Sequence, residues 1–193
     1  LDEIKEHARN PVMYPETALH GIFLLLARSG APLEERKEAI LDRMLAVPDY
    51  LLAARKNLQQ VPDQYLGIAA AVTLSGPGFV DEVCRTLLRS FPGEGERIEH
   101  AGSRARQGFL KYQQFLDQDL EARSGGTFAI GERWMNYKLE REHLLDLDCK
   151  RLDALGREQV ALAQQALEAE ARRMDPAKTW KQQLEDGRGR HPE

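Results

Sequence analysis

Cysteine is almost absent. Cys84 and Cys149 are the only two in 193 residues; they lie far apart within helical patterns, which argues against a disulfide scaffold or a thiolate metal site and for free buried thiols. Histidine is equally thin. Among His7, His20, His100, His143 and His191 no two stand four apart with glutamate after the first, which excludes the zinc helix H-E-x-x-H. No serine has glycine both two before and two after it, so a strand-turn-helix nucleophile elbow is excluded as well. The glycine-bearing stretches "GPGFVDE" and "PGEGE" follow no strand and carry no Lys-Ser or Lys-Thr, and they read as turns or kinks rather than phosphate loops. There is no basic surplus: the net charge is -4, and nucleic acid is not an expected partner. The longest apolar run, from Ala18 to Ala27, is broken by His20 and Gly21 and falls short of the ~20 residues a bilayer requires, so no membrane span is expected. No leader peptide reads at the start. The first residue is Leu1 and not Met, so the start of the gene product is expected to lie elsewhere, and the compartment, cytoplasmic or exported, stays open.

What is present is helical periodicity. After "ARNPVMYPE", where Pro11 and Pro15 disfavour helix, a first helix is expected from Glu16 to Arg28, with Gly30 as its stop. Pro32 opens a second, whose apolar face is Leu33, Ile40, Leu41, Met44 and Leu45, and which Val47-Pro48 should end because the residue before proline avoids helical dihedrals. A short helix from Asp49 to Gln59 follows. Pro62 begins another, with a break expected at Ser75 to Gly78, "SGPG", and resumption from Phe79 to Phe91. From Glu94 to Glu121 the apolar residues recur at three-and-four spacing, and Ala101, Gly102, Ala105 and Gly108 leave room for a neighbouring helix. Glu132 to Leu145 is helical. Asp148 can cap a further helix whose face runs Cys149, Leu152, Gly156, Val160, Ala163, Leu167, Ala171 and Met174. Thr179 opens a last short one through Leu184, and "EDGRGRHPE" ends in a polar tail with a small basic patch. The expected fold is all-α, a bundle-like array in a single helical domain over residues 1–193.

One stretch departs from helix. In "SGGTFAIGE" Phe128 and Ile130 alternate with Thr127 and Ala129 as a half-buried strand would, so one short strand or hairpin is expected near 127–130. A lone strand cannot satisfy its own amides. Trp134 and Tyr137 stand one helical turn apart just beyond it, as core residues or as the lining of a cleft. The candidate site is therefore Phe128, Ile130, Gly131, Trp134 and Tyr137, as cleft-lining or partner-strand residues, with no catalytic or metal-ligating residue assigned. Glu140 and His143 have the Glu-x-x-His spacing of carboxylate-bridged metal bundles, but no second copy accompanies them, and a solvated helix face is the simpler reading.

Three blocks resemble one family. "LDRMLAVPDYLLAARKNL" (41–58), "FLDQDLEARSGGTFAIGERWMNYKLEREHLLDLD" (115–148) and "LDALGREQV" with "KTWKQQLEDGRGRHPE" are similar, in order, to the bacterial family of unknown function numbered 885, whose members resemble zinc metallopeptidases of the thermolysin-like and oligopeptidase-like group. The resemblance implies the helical half of such a fold, in a bacterial hydrolase of peptides. It carries no zinc ligand and no general base onto any residue here. On that reading the chain is the amino-terminal part of a larger protein, catalytically silent by itself and without a cofactor of its own. Zinc would belong to a downstream region, which would be its partner. Self-association through an exposed edge near Phe128, Ile130 and Trp134 is the expected consequence of its isolation. The alternative is a stand-alone helical interaction module without enzymatic activity.

Overall fold

A computed structural model describes residues 4–28, 30–120 and 124–188. The expected helix end at Glu121 and the basic residues of the tail beyond Arg188 lie outside that range. The helices of the described residues are α1 (Glu6–Arg9), α2 (Met13–Ala27), α3 (Leu33–Asn57), α4 (Gln64–Ser90), α5 (Gly95–Phe115), α6 (Glu132–Arg141), α7 (Cys149–Met174) and α8 (Trp180–Arg188). Contacts divide the chain into two compact units, Leu1–Ala129 and Ile130–Glu193, a division that the sequence pattern alone does not mark.

The first unit is built around α5, which packs on α3 and on α4, while α2 lies against both of those. Its inner face, from Ile98 through Ala101, Ala105, Phe109 and Tyr112 to Phe115, is fully buried. The small residues act as the spacing predicts. A Cβ on Gly108 would stand 3.0 Å from the Cα of Pro48, and one on Gly102 would stand 2.5 Å from the Cys84 sulfur, so α5 meets the backbone of α3 at Gly108 and receives a side chain of α4 at Gly102.

Two expected breaks are absent. Helix α3 runs through Pro48 and α4 through Pro77. The physical reason is the same in each. In α3 the buried face, Ile40, Met44, Val47, Leu51 and Ala54, keeps its three-and-four spacing across the proline, and Leu58 follows just past the helix end. A proline inside a helix costs about 3 kcal/mol, whereas burying each leucine beyond it is worth ~1.5–3 kcal/mol, so the continued face outweighs the lost amide. In α4 the face Ala69, Thr73, Gly76, Val80, Val83 and Leu87 is likewise continuous. There "SGPG" is a contact and not a break: a Cβ on Gly76 would lie 2.5 Å from the Phe109 ring. Helix α2 also starts earlier than expected, at Met13, because Pro15 falls in the first turn, where amides have no intrahelical partner to lose.

Helix α4 carries no charge from Gln64 to Val80 and has the length and hydropathy of a helix that could cross a bilayer. Counting uninterrupted apolar runs does not reveal this. The same composition suits the core helix of a bundle, and its inner face is core here.

In the second unit α7 is held at its ends. Asp148 caps it, its carboxylate accepting from the Arg151 amide at 2.7 Å. Near that end the Cys149 amide donates to Asn136 Oδ1 of α6 at 2.8 Å. At the other end Gln183 of α8 donates to the Ala171 carbonyl at 2.7 Å. Thr179 and Gln182 form a reciprocal capping box that starts α8. Helix α6 stops at Arg141, short of the expected Leu145, because Leu144 adopts φ 55 and turns the chain out of the helix.

Replacing Pro77 with alanine restores an amide inside a continuous helix and is expected to stabilise the first unit by about 1–3 kcal/mol. Gly76→Ala, which drives a methyl into the Phe109 ring, is expected to destabilise it by about 1–3 kcal/mol. Urea unfolding of both variants reads this, and a loss of stability in Pro77→Ala would show that the sequence needs a break there.

Candidate functional site

The corner at "SGGTFAIGE" forms no strand: among the described residues 127–130 are irregular, and the expected strand or hairpin is corrected accordingly. The backbone finds its partners elsewhere. Ser124 makes an isolated parallel bridge with Val61, the Gly126 amide donates to the Val61 carbonyl at 3.3 Å, and Arg9 Nη2 donates to the Thr127 carbonyl. A side chain on Gly126 would collide with the Gln60 carbonyl, so glycine there lets the two loops meet. The question of where a lone strand finds its mate thus has a local answer. Loop 60–62 supplies one bridge, an arginine satisfies the next carbonyl, and no ladder forms.

The five candidate residues divide between the units. Phe128 belongs to the first, where its ring meets Tyr65 at 5.2 Å and remains 53% exposed. Ile130, Gly131, Trp134 and Tyr137 belong to the second. Gly131 takes φ 86, a backbone that L side chains adopt at a cost, and its carbonyl accepts from the Met135 amide at 3.0 Å as α6 begins. Trp134 and Tyr137 meet edge to face at 5.7 Å, and Arg133 covers the indole at 4.9 Å. Ile130 and Trp134 are half-buried and Tyr137 is exposed, so the second unit presents an aromatic pair whose polar ends reach solvent. Glu140 and His143 are exposed, and Glu140 pairs with Arg141 at 3.1 Å. Among the described residues no group of three or more His, Cys, Asp or Glu side chains is arranged to hold a metal ion.

A groove of about 570 Å³ between α3 and α5 is not legible in the sequence pattern. Arg55, Arg104 and Lys111 line it beside Leu52 and Asp119. Arg55 donates to Asp119 at 2.9 Å and lies over the Phe115 ring. Asp119 is presented by a single π-helical segment, Leu116–Leu120, that continues α5. The signal lies in Pro48 and Gly108, which face each other at the groove floor, but Pro48 reads in the sequence as a helix end.

Burial and ion pairing shift several titratable groups in the first unit. Burial pushes Tyr112 well above the ordinary phenol range, and its hydroxyl donates to the Pro11 carbonyl at 2.9 Å. Burial likewise raises Tyr14, against the lowering effect of its bond from Asn57. Burial raises the Cys84 thiol too. Lys37, sunk among Glu34, Glu38 and Glu94 and over the Phe91 ring, is raised by its bond to Glu94.

These directions fix an alkaline limit. A tyrosine whose pKa is higher folded than unfolded keeps its proton in the native state while the unfolded chain gives it up, so its contribution is fully present below pH 10 and is lost as pH rises above that. Denaturant midpoints are expected to begin falling near pH 9, where the unfolded Cys84 thiol ionises, and to fall more steeply above about pH 10, less steeply there in Tyr112→Phe. An unchanged slope in that variant would remove Tyr112 as the cause. In the native state Cys84 is expected to resist a thiol reagent at pH 8 that labels the less buried Cys149; equal labelling rates would contradict the packing at Gly102.

No curated protein and no solved structure matches the chain. A profile described as "Bacterial protein of unknown function (DUF885)" matches residues 2–192. With nearly its whole length matched, the chain belongs to this bacterial family.

Proposed function

We propose that the chain is the helical, non-catalytic region of a metallopeptidase-like hydrolase that acts on peptides, with the start of α6 contributing one wall against which an extended peptide lies. The family's resemblance to zinc metallopeptidases supplies the reaction class. Metal-activated water would do the chemistry, on residues of a downstream region. The observation that carries the reading is the Trp134–Tyr137 pair beside Ile130 and Gly131. An edge-to-face aromatic pair at the end of an irregular segment offers an apolar floor.

A stand-alone helical interaction module is the second reading. It is favoured by α7, whose apolar face is open along its middle: Val160 is 67% exposed and Leu167 45%.

The purified chain is expected to hydrolyse no peptide, to retain no stoichiometric zinc after dialysis, and to show a saturable change in Trp134 fluorescence, in a Trp180→Phe background, when an extended apolar peptide is added. One equivalent of retained zinc, or turnover, would overturn the silent role. A flat fluorescence titration would remove the peptide wall and leave the interaction module.

A further inference from the structure

The apolar face of α7 has a property that its amphipathicity alone does not require. From Cys149 to Met174 its members are spaced 3-4-4-3-4-4-3, a pattern that reads the same from either end. Laid antiparallel on a copy of itself, with the midpoint between Ala161 and Leu162, the helix sets Gly156 against Leu167 and Val160 against Ala163. Further out, Ala171 is already buried within its own unit, so the pairing ends with these two layers. Each of these layers then places a large side chain opposite a small one, the arrangement that fills an interhelical space without voids or overlap. A parallel pair in register would put Gly156 on Gly156 and Val160 on Val160, alternating gaps with crowding.

We infer that a second copy of this chain covers the middle of α7, antiparallel, across a two-fold axis. The stretch from Gly156 to Leu167 is the part that α6 and α8 leave open: Gly156 has nothing within reach of a Cβ, and Val160 and Leu167 are both at least 45% exposed. The charges beside the face agree with the pairing. Arg157 and Glu168 flank it on one edge, and in the antiparallel register each lies within a residue or two of the other on the opposing copy, giving two symmetric ion pairs at the rim. The open length is about 18 Å, which places the contact among the smaller interfaces, with dissociation in the micromolar range. This surface is separate from the aromatic pair of α6, and the inference stands or falls without the peptidase reading.

Sedimentation of the full chain across the micromolar range tests it. The parent is expected to dimerise reversibly. Val160→Glu, on an exposed position that leaves the helix content of the circular dichroism spectrum unchanged, is expected to sediment as a monomer, whereas Leu74→Gln, at an exposed apolar site of the first unit, is expected to dimerise like the parent. Direction is read in a Cys149→Ser background by mixing Gly156→Cys with Leu167→Cys, positions far enough from the two-fold axis to meet only each other. Oxidation should cross-link the two variants to each other and neither to itself. A parent monomeric at every concentration, a dimer untouched by Val160→Glu, or self-cross-linking of Gly156→Cys alone would each overturn the inference.

Discussion

The close approach of α3 and α4 to α5 at three glycines is the constraint on which the first unit depends. Gly102 admits the Cys84 sulfur and Gly108 admits Pro48, while Gly76 of α4 receives the Phe109 ring. Each is a place where one methyl group would force helices apart, and dense interiors do not absorb such a shift cheaply. Because α3 and α4 both seat on α5, their faces must be continuous over its length. That requirement is what carries each of them through a proline. The cost of a lost amide is local, whereas the gain of an uninterrupted face accumulates over several buried side chains.

Polar groups finish what the helices leave open. Tyr112 reaches from the core to the Pro11 carbonyl, Tyr14 donates to the His7 carbonyl while accepting from Asn57, and the Gln59 amide donates to Ala8. Together these bind the amino-terminal turn to the end of α3. Lys37 does the same at the opposite end: three glutamates neutralise a buried ammonium, and Arg97 bridges Glu38 and Glu94 around it. Removing a partner from such a cluster would strand a charge away from water, which is more costly than never having built it.

The second unit is held together differently. Its long helix is fixed by a cap and by side-chain bonds to its backbone near the two ends, not by a core of its own; among its described residues only Leu139 and Ala171 are buried. A helix of this length with so little of its apolar face covered gains most from whatever next packs on it. The interaction-module reading and the antiparallel self-pairing both draw on that open surface.

The sequence by itself determined the all-helical class, the small-residue face of α5, the Asp148 cap and the Thr179 start of α8, because these depend on local periodicity and on side chains within one turn. It also carried the family membership, in the order of its three blocks. It misplaced the ends of α2, α3, α4 and α6 and turned a loop into a strand. Those features rest largely on partners remote in sequence. Pro48 stays helical because Gly108 lies beneath it, and residues 124–127 are held by Val61 and Arg9 rather than by a neighbouring strand. Alternation in four residues cannot distinguish a strand from a loop whose amides and carbonyls are met one at a time, and the continuity of a helix across proline is decided by what its far half buries. Only the tertiary structure contains either answer.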